Sequence, residues 1–141
     1  MPKQEHIDEI AGYIRSFENG SKPHNQEHYH SPLGTPLHDC GTAHCLAGWK
    51  AYDDAIAAGV KIEWLCLGSV DQYDGPWLKS DDLWEFVNST GEFWNEETYS
   101  RHEWGLTVLE GNRLFGASLS LATMKENLRA IAKNHGLTCS I

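Results

Sequence analysis

The sequence predicts a mainly α-helical single domain spanning residues 1–141, and three observations predict it. Apolar residues recur at intervals of three and four in several segments. Helix-capping residues precede those segments and Asn or Gly follows them. The length and the 40% apolar fraction suit one globular core of ordinary size. The expected architecture is a compact bundle of about six short helices. A long ordered loop precedes the second helix, and a short β-ribbon is expected near 60–67.

The first helix is expected from about Lys3 to Glu18, with Ile7, Ile10, Ala11, Ile14 and Phe17 on one stripe and Asn19-Gly20 as its stop. The turn-rich stretch "SKPHNQEHYHSPLGTPLHDCG" follows and holds three of the five prolines. A second helix is expected from Thr42, its cap, to about Ala58. Ala43, Ala47, Gly48, Ala51, Ala55 and Ala58 give it a small-sided face that permits close approach of another helix. Cys45, Trp49, Tyr52 and Ile56 form a larger apolar face beside it, and Lys50, Asp53 and Asp54 are expected to face water.

"VKIEWLCL" begins with the alternation of a strand, and "DQYDGPW" reads as a turn broken by Gly75-Pro76. A third helix fits 81–89 behind Ser80. A fourth fits 96–104, with a Glu97–Arg101 pair one turn apart and Gly105 as its end. Thr107 and Glu110 have the spacing of a capping box and open a short helix to Phe115. Thr123 and Glu126 repeat that spacing, so the last helix is expected from there to about Asn134, with Leu128, Ile131 and Ala132 inward.

Cys40 to Trp49, written C-G-T-x-x-C-x-A-G-W, resembles a motif of small uncharacterised proteins from bacteria and their phages. "GLTVLEGNRLF", Gly105 to Phe115, is similar to a later block of the same group. The resemblance implies no catalytic residue, and it does not extend to the His-rich loop before the motif.

The net charge of −9 argues against direct binding to nucleic acid, which needs a positive surface, and against docking on anionic membrane. No run is long and apolar enough to span a bilayer. "MPKQEHIDEI" has no apolar stretch resembling a signal peptide, so a cytoplasmic protein is expected. Residues 71–103 concentrate the charge. Asp71, Asp74, Asp81, Asp82, Glu85, Glu92, Glu96, Glu97 and Glu103 stand there against only Lys79 and Arg101. Such a field steers cationic partners. Aromatic residues lie among these acids. Trp77, Asp81, Asp82, Trp84, Glu85, Trp94, Glu96 and Glu97 are therefore the candidate contacts for a protein with a basic surface.

The alternative site is metallic. His24, His28, His30, His38, Cys40, His44 and Cys45 crowd one turn-rich segment. Zinc takes about four such ligands in a tetrahedron. His30, His38, Cys40, His44 and Cys45 are the candidate ligands, although their spacing matches no finger or ribbon. The competing explanation makes the cysteines small buried apolar groups and the histidines loop decoration. A further alternative is a small-ligand pocket lined by tryptophans. A catalytic Cys45 lacks a visible oxyanion site or orienting group, and no carboxylate dyad is evident, so no catalytic residue is assigned.

Overall fold

The computed structural model describes residues 1–22, 46–60, 64–67, 75–78, 86, 96–116 and 119–141. The fold is mainly helical, as the periodicity predicts. In chain order the elements are α1 (Gln4–Glu18), α2 (Leu46–Ala57), β1 (Trp64–Leu67), β2 (Gly75–Leu78), α3 (Glu96–Glu103), α4 (Val108–Phe115) and α5 (Leu121–Asn134).

Helix α1 buries the predicted stripe, Ile7, Ile10, Ala11, Ile14 and Phe17, together with Tyr13. At its start the Lys3 backbone N–H donates to the His6 ring nitrogen Nδ1 at 3.1 Å. At its end Gly20 takes φ +79°, as a stop glycine should. Helix α2 turns Ala47, Ala51 and Ala55 fully inward. That small-sided face meets α3. The approach is close enough for the buried Ser100 hydroxyl to donate to the Ala47 carbonyl at 2.9 Å. Ile56 near the end of the helix and Ala58 just past it, expected on the two apolar faces, are instead exposed. Thr42 and Ala43 lie outside the described residues, as do 81–85 and 87–89 of the third expected helix. Phe86 is helical and packs edge-on against Tyr99 at 5.8 Å between centroids.

The ribbon is present, with a partner the sequence reading did not assign. Strand β1 pairs antiparallel with β2, placing Trp64 opposite Leu78 and Cys66 opposite Pro76. Gly75-Pro76 is therefore strand and not turn. In a ribbon of two strands each strand has an outer edge, so a residue without an N–H can be accommodated there.

Helix α3 ends at Gly105, φ +65°, where the Leu106 N–H donates to the Arg101 carbonyl at 2.9 Å. The capping box on α4 is formed. The Thr107 hydroxyl accepts from the Glu110 N–H at 3.1 Å, and the Glu110 carboxylate accepts from the Thr107 N–H at 2.9 Å. Helix α5 starts one turn earlier than Thr123-Glu126 suggests. Ser120 is the cap, its hydroxyl accepting from the Thr123 N–H at 3.1 Å. The earlier start adds Leu121, Ala122 and Thr123 to α5, which buries Met124, Leu128 and Ile131.

The main core joins α1 and α5 with Leu46, Trp49, Trp104, Leu106, Leu114 and Phe115. After α5 the chain returns along α1. Gln4 exchanges hydrogen bonds with the Thr138 backbone at 2.8 and 3.0 Å, and Arg15 donates to the Ser140 hydroxyl at 2.9 Å.

Two glycine substitutions separate backbone strain from crowding. Gly105 and Gly136 share a positive φ, but a Cβ on Gly105 alone would meet the Met1 carbonyl oxygen, at 2.6 Å. Gly136→Ala should cost about 1 kcal/mol, and Gly105→Ala visibly more, in chemical denaturation. Equal losses would show that Met1 simply moves aside. Ser120→Ala should cost about 1 kcal/mol through loss of the α5 cap.

Candidate functional site

Three helices converge on a polar cluster that the sequence reading placed in solvent. Lys50 is 8% exposed, so its expected position facing water is wrong. Its ammonium lies 2.8 Å from Glu9 Oε1 on α1 and 3.2 Å from Asp54 Oδ2 one turn along α2. It also stands 5.6 Å from the centroid of the buried Trp104 ring. From α3 the Tyr99 hydroxyl donates to the same Asp54 oxygen at 2.7 Å. One lysine thus ties α1 to α2, and one tyrosine ties α3 to the same carboxylate. The Trp104 indole N–H is buried without a hydrogen-bond partner among the described residues, so that ring contributes by packing.

Burial alone would lower the affinity of Lys50 for its proton. The hydrogen bond that Lys50 donates to Glu9 and the charge of Asp54 outweigh it and raise the pKa, so the group is held as ammonium. Burial raises the Tyr99 phenol, and the hydrogen bond to Asp54 raises it further. These groups satisfy one another, which is the condition for keeping charge in an interior. The Asp54 carboxylate meets two donors, Lys50 and Tyr99.

A second cluster adjoins the first. The Tyr13 hydroxyl donates to Asp53 Oδ2 at 2.7 Å, and Lys22 lies 3.3 Å from the same oxygen. Burial raises the Tyr13 phenol, with the Asp53 hydrogen bond adding to it. The Lys22 ammonium stands 4.5 Å from the Trp49 ring centroid and 5.7 Å from that of Tyr13. Tyr52 meets Trp49 edge-on at 5.7 Å.

On the opposite side of α3 an open cleft of about 430 Å³ is lined by Met1, Arg101, His102, Gly105, Leu106, Thr107 and His135. The Arg101 side chain packs on Gly111, where a Cβ would come within 3.2 Å of its Cδ. The expected Glu97–Arg101 ion pair is not among those formed by the described residues. Beside the cleft the His135 Nε2 lies 2.7 Å from Glu110 Oε2. Burial would raise the Glu110 pKa. The Thr107 N–H and the His135 ring outweigh that and hold it below the ordinary 4.5.

The candidate metal ligands His30, His38, Cys40, His44 and Cys45 lie outside the described residues, as do Asp81, Asp82, Trp84, Glu85 and Trp94. Trp77 falls in β2, opposite Leu65, and Glu96 opens α3. Glu97 follows on α3 and is half-buried. Two other aromatics of the acidic segment, Tyr99 and Trp104, belong to the core. Among the described residues no group of three or more His, Cys, Asp or Glu is placed to hold a metal ion. No described helix is long and apolar enough to cross a membrane.

The sequence reading missed Lys50 as an organising residue. The spacing of Lys50 and Asp54 was a legible signal for a pair, but Glu9 comes from a helix 41 residues away. No family model, curated protein or solved structure matches the chain.

Replacing Lys50 with Met keeps the stem and removes the charge. It should cost about 2 kcal/mol of stability, discounted because Glu9 is partly solvated. Tyr99→Phe should cost about 1 kcal/mol. Both are read as shifts in denaturation midpoint. The depressed Glu110 pKa means that the unfolded chain binds its proton first as pH falls. Its stabilisation is complete above pH 4.5 and disappears as pH falls through the lowered native value. Glu110→Gln should therefore flatten the stability profile on the acid side of that range. An unchanged acid limb would remove this role.

Proposed function

We propose that the protein is a non-catalytic binding or regulatory protein whose partner carries a basic surface. The observation that supports this most is the excess of seven negative charges in residues 71–103, out of nine for the whole chain. A segment of that density attracts cations over a Debye length of about 10 Å at moderate salt. The described part of the segment fits the reading. On α3, Tyr99 and Ser100 are buried while Glu103 is exposed. Lys22 beyond α1, Lys50 on α2 and Lys125 on α5 are each paired with carboxylates outside the segment, so these three do not offset its field. Trp77, Trp84 and Trp94, with Asp81, Asp82, Glu85, Glu96 and Glu97, supply the contacts in this reading. One concrete form is charge mimicry, in which a phage-type protein occupies the basic surface of a host nucleic-acid-binding protein.

A second reading, a zinc-binding domain, rests on the five candidate ligands between His30 and Cys45. Elemental analysis of tag-free protein purified without chelator separates the two. About one zinc per chain would establish the metal domain, and a metal-free, fully folded chain would remove it.

For the leading reading, a captured partner should bind at least about tenfold more weakly when salt rises from 50 to about 300 mM. Charge-reversing changes at Asp81, Asp82 and Glu85 should weaken it further without altering the melt. Affinity indifferent to salt would defeat the proposal.

A further inference from the structure

We propose that Trp49, Tyr13 and Asp53 form a receptor for an alkylammonium group, and that Lys22 of the chain occupies it in this structure. Recognition of an ammonium needs an aromatic face, a nearby carboxylate and a route to water. All three are present. The Lys22 Nζ is 4.5 Å from the Trp49 centroid, 5.7 Å from the Tyr13 centroid and 3.3 Å from Asp53 Oδ2.

The parts of the receptor are held by contacts that do not involve Lys22. The Tyr13 hydroxyl orients the Asp53 carboxylate at 2.7 Å, and Tyr52 braces the Trp49 ring edge-on. Trp49 and Asp53 stand one turn apart on α2, and Tyr13 comes from the buried side of α1. The occupant is less secure. Lys22 lies beyond the end of α1, held back by its backbone N–H to the Ser16 carbonyl at 3.2 Å, and its side chain is 31% exposed. A lysine side chain on a basic partner presents the same ammonium and can exchange with it. The inference deepens the reading of a basic partner and names the group that partner would insert. Lys22 then sets the threshold for entry.

The test needs no partner, so its failure is distinguishable from failure of the salt-dependent reading. Tetramethylammonium chloride is titrated into the full chain, with sodium chloride at equal ionic strength as the control. The readout is the Trp49 indole N–H resonance, assigned with Trp49→Phe. Lys22→Ala should saturate at a concentration at least about tenfold below that of the parent chain. Lys22→Gln, which keeps a polar stem over the ring, should show the same direction. Adding Asp53→Asn to Lys22→Ala should abolish the gain. A shift that does not saturate in either Lys22 variant, or equal midpoints in variant and parent, would overturn the proposal and leave Lys22 as a pin between α1 and α2.

Discussion

The ammonium of Lys50 is the point on which the helix arrangement turns. It is an ion with almost no access to water, and it survives there because two helices bring it carboxylates. That requirement fixes how α1 and α2 sit together, since Glu9 and Asp54 must both reach one nitrogen. Tyr99 then fixes α3 by donating to the oxygen of Asp54 that Lys50 also contacts. Apolar packing alone would tolerate some sliding between these helices, because a stripe of Ile and Ala fits at more than one register. A shared ion does not, because a shift of one residue would leave a buried charge unpaired. Specificity of packing, more than net stability, is what such a group supplies.

The alanine face of α2 and the polar cluster are two aspects of one design. Small side chains at 47, 51 and 55 let α3 approach until Ser100 reaches the Ala47 carbonyl. The same closeness brings Tyr99 to Asp54. Larger residues on that face would push α3 outward and open the cluster to water. There the attraction between Lys50 and its carboxylates would fall several-fold with the rise in effective dielectric. Packing therefore sets the strength of the electrostatics.

Local patterns carried the sequence reading far. The stripe of α1, the capping box of Thr107 and Glu110, and the glycine ends of α1 and α3 depend on residues within a few positions of one another, and each is found where expected. The errors have physical causes of a different range. Lys50, Asp53 and Asp54 read as a solvated face because their partners, Glu9, Tyr13, Lys22 and Tyr99, are distant in sequence. Thr123 reads as the cap of the last helix, but Ser120, one turn earlier, caps it instead. Gly75-Pro76 carried turn chemistry, but pairing with β1 drew it into a strand. Of the candidate site, the helical position of Glu97 was legible, whereas Trp77, read as the end of a turn, lies in strand β2. The receptor around Lys22 was invisible because it combines two helices and the turn after one of them.

The pairing of α1 with α5 has a consequence for how the chain is made. Ile7, Ile10 and Ile14 leave the ribosome early, while Met124, Leu128 and Ile131 follow more than a hundred residues later. At ordinary synthesis rates that interval is about 5–25 s. During it the α5 face that helps to bury the first helix is not yet made. Helices α3, α4 and α5 are neighbours in sequence and can assemble locally. The contact between α1 and α5 spans most of the chain, and the Gln4–Thr138 exchange clasps it in place. In a chain of this fold the amphipathic first helix is therefore synthesised well before the α5 face that it packs against.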